Sequence, residues 1–127
     1  MARDAYERGL KTRRKVLGNE WVDRAEKTKT DFNADFQSLI TRYAWDEIWN
    51  RPGLDHKARR ILVIGQMVAL GRWEEFRLHV GAALRSGDLS ADDLKEVLLQ
   101  SAIYCGVPAA NRAFAVAQKV LDEGKAT

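Results

Sequence analysis

Asp55-His-Lys-Ala-Arg-Arg-Ile-Leu-Val-Ile-Gly-Gln-Met-Val-Ala-Leu70 decides the fold class. Its apolar residues Ile61, Ile64 and Val68, flanked by Leu62 and Ala69, recur three and four apart, the spacing of one helix face. Asp55 stands in front of the stripe, where a side-chain oxygen accepts from the free N–H groups of a first turn. The pattern repeats outward in both directions. Downstream, Leu94, Val97, Leu98 and Ile103 with Ala102 form a second stripe, and Ala113, Val116, Ala117, Val120 and Leu121 a third. Upstream, Phe32, Phe36, Leu39, Ile40 and Tyr43 form a fourth. No segment alternates with a period of two, so the expected class is all-α.

The punctuation agrees. Gly18, Gly71, Gly87 and Gly106 fall where helices should end, in positions that favour the left-handed conformation. Ser90 with Asp93 reads as a capping box opening a helix that runs to Tyr104. Pro108 suits the first turn of a last helix. No Pro- or Gly-rich linker divides the chain, so residues 1–127 are expected to form one domain, with the charge-rich residues 1–31 as an arm packed on the core or on another subunit. Small residues crowd the last helices, among them Gly81, Ala82, Ala83, Ala109, Ala110 and Ala113. They suit close helix packing in a core or a subunit interface alike.

Composition excludes several classes. A chain of 127 residues with 46% hydrophobic and 31% charged residues folds without staples. One cysteine, Cys105, allows no intrachain disulfide and suits a reducing compartment. No stretch has the length of a secretory or membrane-spanning segment, so the expected location is the cytoplasm, away from membranes. The net charge is +3. Basic clusters at Lys11–Lys15 and His56–Arg60 are diluted by acids throughout and belong to no nucleic-acid module, so no nucleic-acid partner is expected.

The chemistry-bearing residues concentrate in Arg42-Tyr-Ala-Trp-Asp-Glu-Ile-Trp-Asn-Arg-Pro-Gly-Leu-Asp55. Rings exclude water and guanidinium groups fix carboxylates, so Tyr43, Trp45, Trp49, Arg42 and Arg51 suit a flat anionic ligand. Trp45 and Trp49, four apart, share a face on a helical turn. Ordinary core packing and surface ion pairs account for the same residues equally well. His79 falls on a helix expected over Trp73 to Ser86, with Glu75 one turn before it, placed to favour the charged imidazole. It is either a proton donor or a buried, internally satisfied histidine. His56 reads as a solvated first-turn residue. Two histidines 23 positions apart and a lone cysteine give no zinc spacing, and no glycine-rich loop or serine triad appears, so no metal or organic cofactor is expected.

Several stretches together resemble the γ-carboxymuconolactone decarboxylases: Arg13-Arg-Lys-Val-Leu-Gly18, Tyr43-Ala-Trp45, Ile48-Trp-Asn-Arg-Pro-Gly-Leu-Asp55, Ala69-Leu-Gly71, Leu78-His79 and Tyr104-Cys-Gly-Val-Pro-Ala-Ala-Asn-Arg-Ala-Phe114. The resemblance runs from about Tyr6 to Leu121 and implies the all-helical fold of the alkylhydroperoxidase AhpD, built into homotrimers or homohexamers. The redox branch of that fold carries two cysteines before the histidine. Here those places hold Arg72 and Glu75, which points away from peroxide chemistry. Asp46 stands where the resemblance leads one to expect glycine.

The resemblance implies a reaction. 4-Carboxymuconolactone loses carbon dioxide, the electrons pass to the lactone carbonyl, and protonation on carbon gives 3-oxoadipate enol-lactone, a step of protocatechuate catabolism in the β-ketoadipate pathway. The substrate supplies its own electron sink, so no cofactor is implied. His79 would donate to the lactone oxygen or deliver the proton, with Glu47 or Glu75 orienting it or relaying. Arg51, then Arg42 or Arg60, would hold the retained carboxymethyl group. Tyr43, Trp45 and Trp49 would wall the site. Two other readings remain: a thiol-dependent antioxidant using Cys105 between subunits, and a non-catalytic helical oligomer that binds a small acid.

Overall fold

The computed structural model describes residues 2–126, and among these every regular element is helical, with no strand. The expected all-α class is what is found. The chain divides into two compact units, one ending at Asp55 and the other starting at His56.

The first unit contains α1 (Ala2–Leu17), α2 (Asn19–Lys27), α3 (Ala34–Ile40) and a π-helical segment, π1 (Thr41–Ile48). The wider turn of π1 shows in its last bond, where the Trp49 N–H donates to the Ala44 carbonyl, five residues back, at 3.0 Å. α1 lies against π1. Gly9 makes this possible: a Cβ there would stand 2.0 Å from the Thr41 carbonyl oxygen. Alongside, the Arg8 guanidinium donates twice to Asp46, at 3.1 and 3.1 Å, and the Thr12 hydroxyl donates to Asn50 Oδ1 at 2.7 Å. The Arg13 guanidinium lies 5.1 Å over the Trp21 ring and donates to Gln37 at 3.1 Å. The residues expected to form an arm are thus bonded to residues 37–50, and the break between units comes after Asp55.

One expectation about the core is corrected here. The stripe of Phe32, Phe36, Leu39 and Tyr43 is not interior: Phe32 is 98% exposed and Tyr43 60% exposed. α1 covers the other side of this segment, where Thr41 and Trp45 are buried. Periodicity reveals an apolar face but not what covers it.

The second unit contains α4 (His56–Leu70), α5 (Trp73–Ser86), α6 (Ala91–Tyr104) and α7 (Val107–Ala126). Its core joins Ile64 and Val68 of α4, Phe76 and Val80 of α5, Leu94 and Leu98 of α6, and Ala113 and Ala117 of α7. The alanines let α7 approach its neighbours closely. Gly87 ends α5 in the left-handed conformation with φ 80°, and Ser90 and Asp93 form the expected capping box. α4 splits its apolar residues. Ile64 and Val68 enter the core, whereas Ile61, Leu62 and Ala69 line a groove toward α6. Likewise Ile103, expected in the α6 stripe, is exposed. No helix among the described residues is long and apolar enough to cross a membrane.

Candidate active site

His79 sits in the middle of α5, buried, with 8% of its surface exposed. Its pKa is pushed down from the ordinary 6.5 to about 4. Burial is the largest cause, because a low-dielectric surrounding disfavours the charged form. The Arg60 charge adds to it, and Glu75 opposes both. The sequence reading had Glu75 favouring an imidazolium. The correction is physical: Glu75 is exposed, so water screens its pull, and desolvation wins. At neutral pH the imidazole is uncharged, with one N–H to give and one lone pair.

Arg60 is 1% exposed, and its Nε donates to Asp88 Oδ2 at 2.8 Å. A guanidinium sealed in this way and paired 28 residues along the chain is not an open binding group. Asp88, on the turn after α5, was not singled out from sequence, and nothing local to it signals the pairing.

In the first unit, a groove of about 460 Å³ opens between α1 and the α3–π1 segment. It brings together three of the expected residues, Arg42, Tyr43 and Glu47, with Arg8 and Asp46. Arg42 Nε donates to the Ser38 hydroxyl at 3.3 Å, and Glu47 is exposed. Asp46 also accepts from Asn50 Nδ2 at 3.1 Å, and Arg8 holds its carboxyl below the usual carboxylate range. Trp45 and Trp49 do share a face. They stack with centroids 5.2 Å apart and planes at 27°, Trp45 buried and Trp49 half-buried. Neither lines this groove. Arg51 is exposed beyond π1, its backbone N–H donating to the Ile48 carbonyl at 3.1 Å.

A second groove, of about 500 Å³, runs between α4 and α6 with Ile61, Leu62, Val97, Tyr104 and Cys105 on its walls. Apart from Cys105 it contains none of the residues singled out for chemistry. Among the described residues, no group of three or more His, Cys, Asp or Glu side chains is arranged to hold a metal ion.

An all-helical chain with a buried neutral histidine and a separate basic, aromatic-rich segment narrows the class, and comparison with known proteins supplies the family. The chain belongs to the carboxymuconolactone decarboxylase family, whose model matches residues 34–119. It is 42% identical over 118 residues to the 4-carboxymuconolactone decarboxylase of Acinetobacter baylyi, covering 93% of this chain and 87% of that one. It is 37% identical over 121 residues to the nitrosuccinic acid decarboxylase of Metarhizium robertsii, covering 95% and 84%. A 39-residue match at 49% identity joins it to the 4-carboxymuconolactone decarboxylase of Pseudomonas putida, covering 31% of this chain and 81% of that protein.

Proposed function

We propose that this protein is a cofactor-free carboxy-lyase. It converts 4-carboxymuconolactone to 3-oxoadipate enol-lactone and carbon dioxide in the cytoplasmic breakdown of aromatic acids. The observation that carries this reading is the 42% identity, over 93% of the chain, to a protein of that name. The site chemistry supports it. Loss of carbon dioxide leaves an electron pair that delocalises onto the lactone carbonyl, so the transition state needs a fixed donor at that oxygen. His79, buried and neutral, is such a donor, since a neutral imidazole polarises a carbonyl without carrying a charge of its own.

The other residues take roles that follow from their surroundings. Arg42, with Tyr43 beside it in the α1–π1 groove, holds the retained carboxymethyl group, and Arg51 is its reserve. Glu47, exposed in the same groove, relays the proton that ends on carbon. Arg60 acts through charge and not by contact, keeping His79 unprotonated, and Glu75 moderates that effect. The stacked Trp45 and Trp49 provide a rigid apolar wall. The assembly is a homotrimer or homohexamer, for which exposed Phe32, Phe36 and Leu39 supply apolar surface.

A second substrate has a specific observation behind it, the relative named for nitrosuccinic acid. A nitro group also accepts the electrons of a departing carboxylate, so the same donor would serve. The deciding experiment offers each acid separately and measures trapped carbon dioxide and loss of substrate. The expected result is release from the lactone, lowered at least about 10²-fold in kcat by His79→Gln. Release from nitrosuccinate alone would transfer the function to the second substrate. Release from neither would refute the decarboxylase reading.

A further inference from the structure

Three contacts tie α1 to the segment from Thr41 to Asn50: Gly9 on the Thr41 carbonyl, Arg8 on Asp46, and Thr12 on Asn50. Thr41 and Asn50 are nine positions apart. In an α-helix nine residues make about two and a half turns, which puts the two ends on opposite faces. Bonding five residues back widens the turn over Thr41–Ile48, and with Asn50 in the turn that follows, both Thr41 and Asn50 meet α1. Asp46 lies between them. At about 100° per residue, an α-helical register would carry it well over a quarter turn away from the face that Thr41 shows to Gly9. The π-helical turn and the α1 contacts therefore require each other. Because long π-helical runs are rare, this one needs an external hold.

We infer that Arg8 and Asp46 are a positioning pair. Their doubly bonded ion pair locks π1 in its register and so aims Arg42, Tyr43 and Glu47 into the groove. The ionic character matters. Two parallel guanidinium–carboxylate bonds fix orientation as well as distance, which a single neutral bond does not. Asn50 Nδ2 on the same Asp46 oxygen that Arg8 Nε contacts adds a third restraint at the end of the turn. This inference rests on the substrate-binding role given above to Arg42 and Tyr43. Neither Arg8 nor Asp46 is assigned contact with the substrate, since each satisfies the other.

The test compares wild-type protein with Asp46→Asn, Arg8→Gln, the double variant and Arg8→Lys, by amide hydrogen exchange and by steady-state kinetics on 4-carboxymuconolactone. In both single variants the Trp49 amide is expected to exchange at least about 10-fold faster, while amides of α5 to α7 keep their rates. KM is expected to rise about 10-fold, as Arg42 and Tyr43 are misaimed, with a smaller fall in kcat from the displaced Glu47 relay while the His79 donor is untouched. The double variant should be no worse than either single, because both changes remove one interaction. Arg8→Lys, which keeps charge but not the bidentate geometry, should fall between. Unchanged exchange at Trp49 in Asp46→Asn would overturn the lock, whatever the kinetics. Faster exchange with a wild-type KM would overturn the positioning role. Should wild-type protein release no carbon dioxide from the lactone, the proposed function fails, while faster exchange at Trp49 still upholds the lock.

Discussion

His79 makes folding stability depend on pH in a way that can be isolated. Above pH 6.5 the imidazole is neutral in the folded and the unfolded chain and adds no pH dependence. Below 6.5 the unfolded chain takes up a proton that the folded chain refuses until about pH 4. Stability is therefore present above 6.5 and lost as pH falls, with the loss complete below about 4. A displacement from 6.5 to about 4 corresponds to about 3 kcal/mol in the limit. At pH 5 the unfolded side is almost fully protonated and the folded side hardly at all, which gives about 2 kcal/mol. His79→Gln keeps a side chain of similar reach with nothing to titrate. Urea unfolding at pH 7.5 and pH 5, at one fixed protomer concentration, should show wild-type stability falling about 2 kcal/mol further than that of the variant. The carboxylates common to both proteins cancel in the difference. Parallel losses in the two proteins, agreeing within about 0.5 kcal/mol, would refute the claim that burial keeps this imidazole neutral.

Gly9→Ala should destabilise by about 2 kcal/mol, since a Cβ 2.0 Å from a backbone oxygen forces α1 off π1 and outweighs alanine's better helix propensity; an unchanged thermal midpoint would contradict this. Asp88→Asn leaves the Arg60 charge buried with a weaker partner. Because the Asp88 side chain is 39% exposed, the loss should be about 1–2 kcal/mol and not the larger cost of breaking a fully sealed pair, as chemical denaturation would measure. The acid limb of kcat/KM assigned to His79 should lie near pH 4, so a profile in which activity instead falls as pH rises through about 6.5, with that fall absent in His79→Gln, would argue for an imidazolium. Light scattering at micromolar concentration should report a trimer or hexamer, and a monomer would count against the assembly proposed here.

What the sequence made legible was local. The Ser90–Asp93 box and Gly87 act within a turn of themselves and are placed as expected, and Asp55 stands directly before α4. What it hid depends on residues far away in the chain. The π-helical turn owes its width to α1 contacts 38 positions upstream, and Tyr43-Ala-Trp45 reads equally well as an ordinary helix. The Phe32 stripe has the spacing of a core face, yet it is exposed. Glu75 was visible four positions before His79, so its pull on the proton was legible. The burial that overrides it comes from packing between helices, and the Arg60–Asp88 pair spans 28 positions with no motif to announce it. Arg42, Tyr43 and Glu47 were legible as a cluster because one short element carries all three.

The neutrality of His79 has a consequence for how a decarboxylase divides its charges. Its substrate is anionic before the reaction, and the carboxylate that leaves is itself a good ligand for any cation nearby. An imidazolium would bind that carboxylate in the ground state, and such binding lowers KM without lowering the barrier to its loss. A neutral N–H interacts weakly with the starting carbonyl and strongly with the oxygen that gains charge, so its contribution falls on the transition state. Arg60 supports this division from a distance. Its charge raises the cost of protonating His79, and its Nε is bonded to Asp88, so this guanidinium is not offered to the leaving group. Arg42, half-buried, and Arg51, exposed, belong to the first unit, on the segment proposed for the carboxylate that stays.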